Sequence, residues 1–320
     1  MNRIEITPWH WLGFIAFVLV CIALDLGVLR RRPHPVKLLE AAAWSALWFA
    51  LAMIFAAVLW RWRGHGDAAQ FAAGYFIELS LSLDNLLVIA LIFASFKTPP
   101  QFQHRVLVCG ILGALVMRGA MIGVGAELVQ NFEWVLYLFG AFLVFAGVKM
   151  MFERQDEVRP EKNPVLRLAR KIFPVVPNFD GPRFFTRLNG RLALTPLALV
   201  LLLIETSDLI FAVDSVPAVF SVTRSAFIVF TSNVFAILGL RSLYFLLAGA
   251  LGFFRYLKIG LSVVLAFVGV KMLLDPHESP PQWFQVEIPT HISLLVAAAI
   301  LAISIALSVT AARREKKSAP

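Results

Sequence analysis

Nine apolar stretches, each about as long as the 20-residue helix needed to cross a hydrocarbon core of roughly 30 Å, constrain this chain more than any other feature. They lie near 9–29, 38–60, 69–95, 106–126, 134–152, 195–222, 226–248, 256–274 and 290–311. Backbone polar groups in lipid must be satisfied within the segment, so each stretch predicts a helix. The fold expected is all-α: a polytopic membrane protein of about nine transmembrane helices, a single domain over 1–320. Hydrophobic residues make up 59% of the chain and charged ones 15%, far from the usage of a soluble domain. Cys21 and Cys109, the only two cysteines, both sit inside apolar stretches, which excludes a disulfide framework and a thiolate metal cluster. No nucleophile and base pair, metalloprotease helix or phosphate loop occurs, so the reading is not an enzyme and carries no cofactor.

The net charge of +9 would suggest nucleic acid in a soluble chain, but here the charges sort by side of the membrane instead. With nine spans, 21 of the 29 Lys and Arg residues fall on one side and 4 on the other. The positive-inside rule then places the N-terminus outside and the C-terminus inside. Arg30, Arg31 and Arg32 follow the first stretch, which therefore reads as a retained span and not a cleaved signal. The loop over 153–194 faces the cytoplasm in this topology. Its sequence VLRLARKIFPVV interleaves basic and apolar residues and predicts an amphipathic segment lying on the surface.

The remaining four basic residues, Arg118, Lys149, Arg241 and Lys271, fall inside spans and are related to one another. LVMRGAM around Arg118 answers LGLRSLY around Arg241, and FAGVKMM at Lys149 answers FVGVKML at Lys271. The same alignment sets ELSLSLDN, from Glu78 to Asn85, against DLIFAVDS, from Asp208 to Ser215. Four charged landmarks in one order indicate a repeat of three spans, 69–152 and 195–274, with 290–311 as a final span. An odd-span repeat crosses the membrane in the opposite sense the second time. Inverted repeats of this kind build secondary transporters whose site lies near the midplane, where the copies face each other.

An ionisable residue at the centre of a spanning helix costs about 2.5–3.5 kcal/mol on insertion scales, so such residues are functional candidates. The acids are Asp25, Glu78, Asp84, Glu205, Asp208 and Asp214, against the four bases. Two negative charges are left over, which a divalent cation or two protons would balance. Carboxylates, the Asn85 amide and the hydroxyls of Ser82 and Ser215 are hard oxygen donors suited to Mg, Ca or Mn. On a straight helix Glu78 and Asp84 project about 120° apart and lie about 9 Å apart along the axis. One intact helix therefore cannot aim both at one ion. Either the helix is broken, as Pro217 suggests for the second copy, or the two acids have separate jobs. The pairing expected is Asp84 and Asn85 with Asp214 and Ser215. Glu78 and Asp208 stand close by as further ligands of the ion or proton carriers, Glu205 serves as a relay, and Arg118 and Arg241 act as charge partners. Lys149 and Lys271, near span ends, are expected to snorkel.

ELSLSLDN, DLIFAVDSVPAVF at 208–220, the paired GVKM segments and LDLGV at 24–28 resemble the TerC family of integral membrane proteins, particularly its Alx-like members. The resemblance covers nearly the whole span region. It implies a multi-pass protein of the bacterial cytoplasmic membrane that exports manganese, and by likeness it adds Asp25 to the site. The residues alone lead to a hard divalent cation; only the resemblance selects Mn2+ as the transported substrate and export as the direction. Other partners expected are the lipid bilayer and protons. The alternatives are a Ca2+ or Mg2+ transporter, and a membrane scaffold of a tellurium and stress-resistance complex that recruits cytoplasmic partners through the 153–194 loop.

Overall fold

The computed structural model describes residues 6–29, 38–152, 163–188, 190–248, 257–275, 285–286 and 288–318. Each of the nine apolar stretches is helical there: α1 (Pro8–Leu29), α2 (Leu38–Arg63), α3 (His65–Ser95), α4 (Pro100–Asn131), α5 (Trp134–Phe152), α7 (Pro196–Phe220), α8 (Ala226–Ala248), α9 (Leu257–Leu274) and α10 (Thr290–Ser318). Seven helices among the described residues are long and apolar enough to cross a membrane; the apolar part of α1, Pro8–Leu24, is shorter. The protein is a mostly helical, multi-pass membrane protein.

Local signals set the helix ends. Gly64, at φ 95°, turns α2 into α3, and Lys97, in the left-handed region at φ 49°, closes α3 before Pro100 starts α4. Left-handed backbone suits Gly64 because it lacks a Cβ. Thr195 caps α7 by accepting from the Ala198 amide, with Pro196 in the first turn where no amide donor is needed.

One element was not expected, and one expectation changes. The 153–194 loop is not wholly helical or irregular: after the short helix α6 (Pro164–Ile172) it forms an antiparallel hairpin, β1 (Phe185–Leu188) with β2 (Arg191–Leu194). Hydrophobic stretch length finds spans, but a four-residue strand leaves no such trace. α7 is also unbroken, because Pro217 lies inside the helix and not at an interruption. The part of the loop over 153–162 and the polar segment over 276–284 lie outside the described residues.

The helices that matter for the site pack in pairs: α3 against α8, α4 against α7, α3 against α7, and most extensively α5 against α9. Close approaches give their directions. A Cβ on Gly140 would stand 3.0 Å from the Gly269 carbonyl, and one on Gly147 2.7 Å from the Ser262 carbonyl, so α5 and α9 run antiparallel with touching backbones. Asn85 meets Asp208 while Gly74 meets Val219, so α3 and α7 are antiparallel too. Gly110 meets Ile204 and Gly125 meets Phe220, which makes α4 and α7 parallel; Gly74 on Ser232 and Phe71 on Phe235 place α3 beside α8. Small residues at these crossings let backbones approach where no hydrophobic force separates helix from lipid. α1, α2 and α10 wrap this group, α1 through Trp11 and Phe14 on Phe227 and α10 through Ser304 on Gly260.

Candidate functional site

On α3, Glu78, Ser82 and Asn85 recur at i, i+4 and i+7, which confines them to an arc of about 60° on one face. On α7, Asp208 and Ser215 share a face by the same spacing of seven. The antiparallel contact of α3 and α7 turns these faces toward each other, and Arg118 of α4 reaches between them. Its Nη2 donates to Asp208 Oδ1 at 2.8 Å and its Nε to Oδ2 at 3.1 Å, a two-point grip on one carboxylate. Nη1 forms an ion pair with Glu78 Oε1 and lies 3.5 Å from Ser215 Oγ. Asn85 Nδ2 donates to Asp208 Oδ1 at 2.8 Å and ties the first motif to the second. All five side chains are 0–5% exposed, so the network is shielded from bulk solvent.

One guanidinium faces two carboxylates here, and other acceptors are left over. Glu78 Oε2, Ser82 Oγ and Asn85 Oδ1 are buried with no hydrogen-bond partner. Buried acceptors are normally satisfied, so three on one helix face call for a donor or a cation. Beside Asp208 a cavity of about 30 Å³ is lined by Asn85, Asp208, Arg241, Gly110 and Ile204. That is room for about two water-sized particles. Arg241 thus borders the network from α8, buried at 5% exposure.

The sequence candidates divide into two groups. Glu78, Asn85, Asp208, Ser215 and Arg118 are brought together, with Arg241 alongside. Asp84 and Asp214, each one residue from a network member, project about 100° away from it and are half-buried. Asp214 is within Coulombic reach of Lys149 on α5. The expected pairing of Asp84 and Asn85 with Asp214 and Ser215 is therefore split: Asn85 and Ser215 look into the network and the aspartates look elsewhere. Both helices are unbroken, so Glu78 and Asp84 point in different directions, and the break that Pro217 suggested is absent. Glu205 packs its carboxylate against Gly113 of α4, one turn from Asp208. The side chain of Asp25 lies outside the described residues.

Lys149 is exposed, as a snorkelling side chain would be; Lys271 is instead buried at 3% and pairs with Asp275 at 3.6 Å. Ser82 was legible only as one hydroxyl among several, and its alignment with Glu78 and Asn85 was the signal for a shared face. Among the described residues no three His, Cys, Asp or Glu side chains converge as a metal-binding group. In this conformation the carboxylates answer to Arg118.

Unbroken apolar helices closed around a desolvated ionic network define a multi-pass membrane protein with an ionisable site inside the helix bundle. The chain belongs to the Integral membrane protein TerC family, whose profile matches residues 63–316. It is 50% identical over 313 residues to "Uncharacterized membrane protein STKORF319" of Myxococcus xanthus, covering 98% of this chain and 95% of the relative. It is 44% identical to the protein of Salmonella typhi named "Putative membrane-bound redox modulator Alx", over 96% of each chain. The Escherichia coli K12 protein of the same name is 47% identical over 86% of this chain and 88% of the relative. No solved structure matches.

Proposed function

We propose that this protein is a secondary transporter that exports a hard divalent cation, Mn2+ by family likeness, across the bacterial cytoplasmic membrane in exchange for protons. The observation that carries the reading is the meeting of the two acidic motifs inside the bundle, at the Asn85–Asp208 hydrogen bond gripped by Arg118. A structural protein has no need of two desolvated carboxylates and three orphaned acceptor oxygens at one place. Oxygen-only donors fit a hard cation as cargo.

An inverted repeat within nine spans, N-terminus outside, is part of this reading, and the contacts support it. The landmark offset of 122 carries Gly140 to Ser262 and Gly147 to Gly269, so it exchanges the two glycine contacts between α5 and α9. Offsets of 130 and 123 carry the Gly74–Ser232 contact onto Ile204 and Cys109, one residue from the observed Ile204–Gly110 contact. In the cycle proposed, Arg118 offsets one of the two carboxylate charges of the empty site, with Arg241 alongside; the incoming cation displaces Arg118 from Glu78 and Asp208, and protons from outside displace the cation. Asp84 and Asp214 line the route on the adjacent helix faces. The backbone contact of α5 with α9 is too tight to slide and serves as the pivot on which one three-helix copy rocks against the other.

The relatives' name speaks of redox modulation. In this chain neither Cys21 nor Cys109 is in a disulfide, and the two sit on different helices. The test is flux in liposomes: Mn2+ movement should follow an imposed pH gradient and vanish in Glu78→Gln and in the double Asp84→Asn, Asp214→Asn variant. Wild-type flux in both would remove the site assignment. Parallel runs with Ca2+ and Mg2+ decide the cation.

A further inference from the structure

We propose that α6 and the β1–β2 hairpin form a cap that docks on the anionic headgroups of the bilayer in which the protein sits. The segment lies at one end of the bundle. Phe139 near the start of α5 touches Phe220 at the end of α7, so the end of α5 faces the start of α7, and the chain between them must sit where spans leave the hydrocarbon. Phe179 and Phe184 anchor it to the first turns of α4, through Phe102 and under the Arg105 guanidinium.

α6 has three faces. Leu166, Ala169 and Phe173 pack into the protein core. Val165, Leu168 and Ile172 form an apolar stripe at 39%, 57% and 62% exposure. Arg167, Arg170 and Lys171 fill the remaining arc, also exposed. On the helical wheel the two apolar faces are contiguous, with the basic arc centred about 170° from their middle. The protein therefore covers only half of the apolar arc. An apolar flank with a basic face opposite is the arrangement of a helix lying in a membrane interface.

The hairpin repeats the pattern in β form. Register pairs Phe185 with Leu194 and Arg187 with Leu192 on one face, and Leu188 with Arg191 on the other. Phe185, Leu188 and Leu192 are exposed beside these arginines. Residues 163–194 hold six basic side chains against one acid, Asp180, which is engaged by Thr186 at 2.7 Å and Arg183 at 3.6 Å. Positive charge interleaved with apolar tips at the level of the bilayer surface complements anionic lipid, since each juxtamembrane Lys or Arg adds attraction to it. The cap is also tied to α7. Leu194 donates to the Pro174 carbonyl at 2.8 Å, and Thr195, the α7 cap, donates its hydroxyl to the Arg183 carbonyl at 2.7 Å. Lipid bound here is coupled to the helix that carries Asp208. The docking itself does not depend on the transport reading.

The test uses the full chain in nanodiscs of phosphatidylcholine with and without phosphatidylglycerol, read by amide hydrogen exchange. Amides of 164–172 and 185–194 should exchange at least about tenfold more slowly with the anionic lipid. High salt and the Arg167→Glu, Arg170→Glu, Lys171→Glu variant should remove that difference, while Arg167→Lys, Arg170→Lys keeps it. Unchanged exchange in α3 and α7 reports that each variant is folded. Equal exchange in both lipids, or protection that survives charge reversal, overturns the proposal. Protection that appears only on adding cytoplasmic extract, and not with phosphatidylglycerol, would assign the surface to a protein partner instead.

Discussion

Arg118→Met tests whether the guanidinium compensates buried charge. Methionine keeps the apolar stem but removes every donor that Arg118 gives to Asp208, Glu78 and Ser215. Glu78 at 0% and Asp208 at 4% exposure are shielded from bulk solvent. Removing one member of a buried ion pair costs about 3–5 kcal/mol, because the partner is left charged and dry. At about 2–3 °C per kcal/mol for a chain of this size, the melting temperature in detergent should fall by about 6–15 °C at neutral pH. Adding Glu78→Gln and Asp208→Asn to the same background should restore most of the lost stability. Melting of Arg118→Met within about 2 °C of wild type, or a neutralised triple variant that melts as low as the single one, would refute compensation by the guanidinium.

The remaining expectations concern single contacts. Asn85→Ala should lower stability by about 1–3 kcal/mol, measured by denaturation, because Asp208 loses its second donor. The double Asp84→Asn, Asp214→Asn variant should lose Mn2+ flux while melting within a few degrees of wild type, since both side chains are only half-buried and an amide keeps the carboxylate's shape. Gly269→Ala would press a methyl 2.7 Å from the Gly140 carbonyl and Val144 amide and should cost about 1–3 kcal/mol. Gly239→Ala, whose nearest neighbour is 3.7 Å away, should be neutral or stabilising by up to about 1 kcal/mol in the same melt. Gly113→Ala would meet the carboxylate end of Glu205, which a side-chain rotation can move aside, so it should cost less stability than Gly269→Ala in the same melt.

Much of the fold was legible because lipid permits so few solutions. An apolar stretch of about 20 residues has to be a helix, and among the described residues all nine stretches are. The repeated arginines, lysines and acidic motifs were visible for the same reason: charge in such a segment is rare enough that its order can be aligned. Ser82 and the hairpin were less legible. A serine costs little anywhere in a helix, and strands of four residues carry no periodicity to read.

By itself the sequence determined a multi-pass helical membrane protein with two related acidic helices, and the 100° turn per residue that forbids Glu78 and Asp84 from sharing a target. Only the tertiary structure decided which member of each motif looks inward. The choice follows from helix rotation, which glycine contacts between neighbouring helices fix and which no single helix encodes. That rotation turns Asn85 and Ser215 toward Arg118 and leaves Asp84 and Asp214 on the adjacent faces.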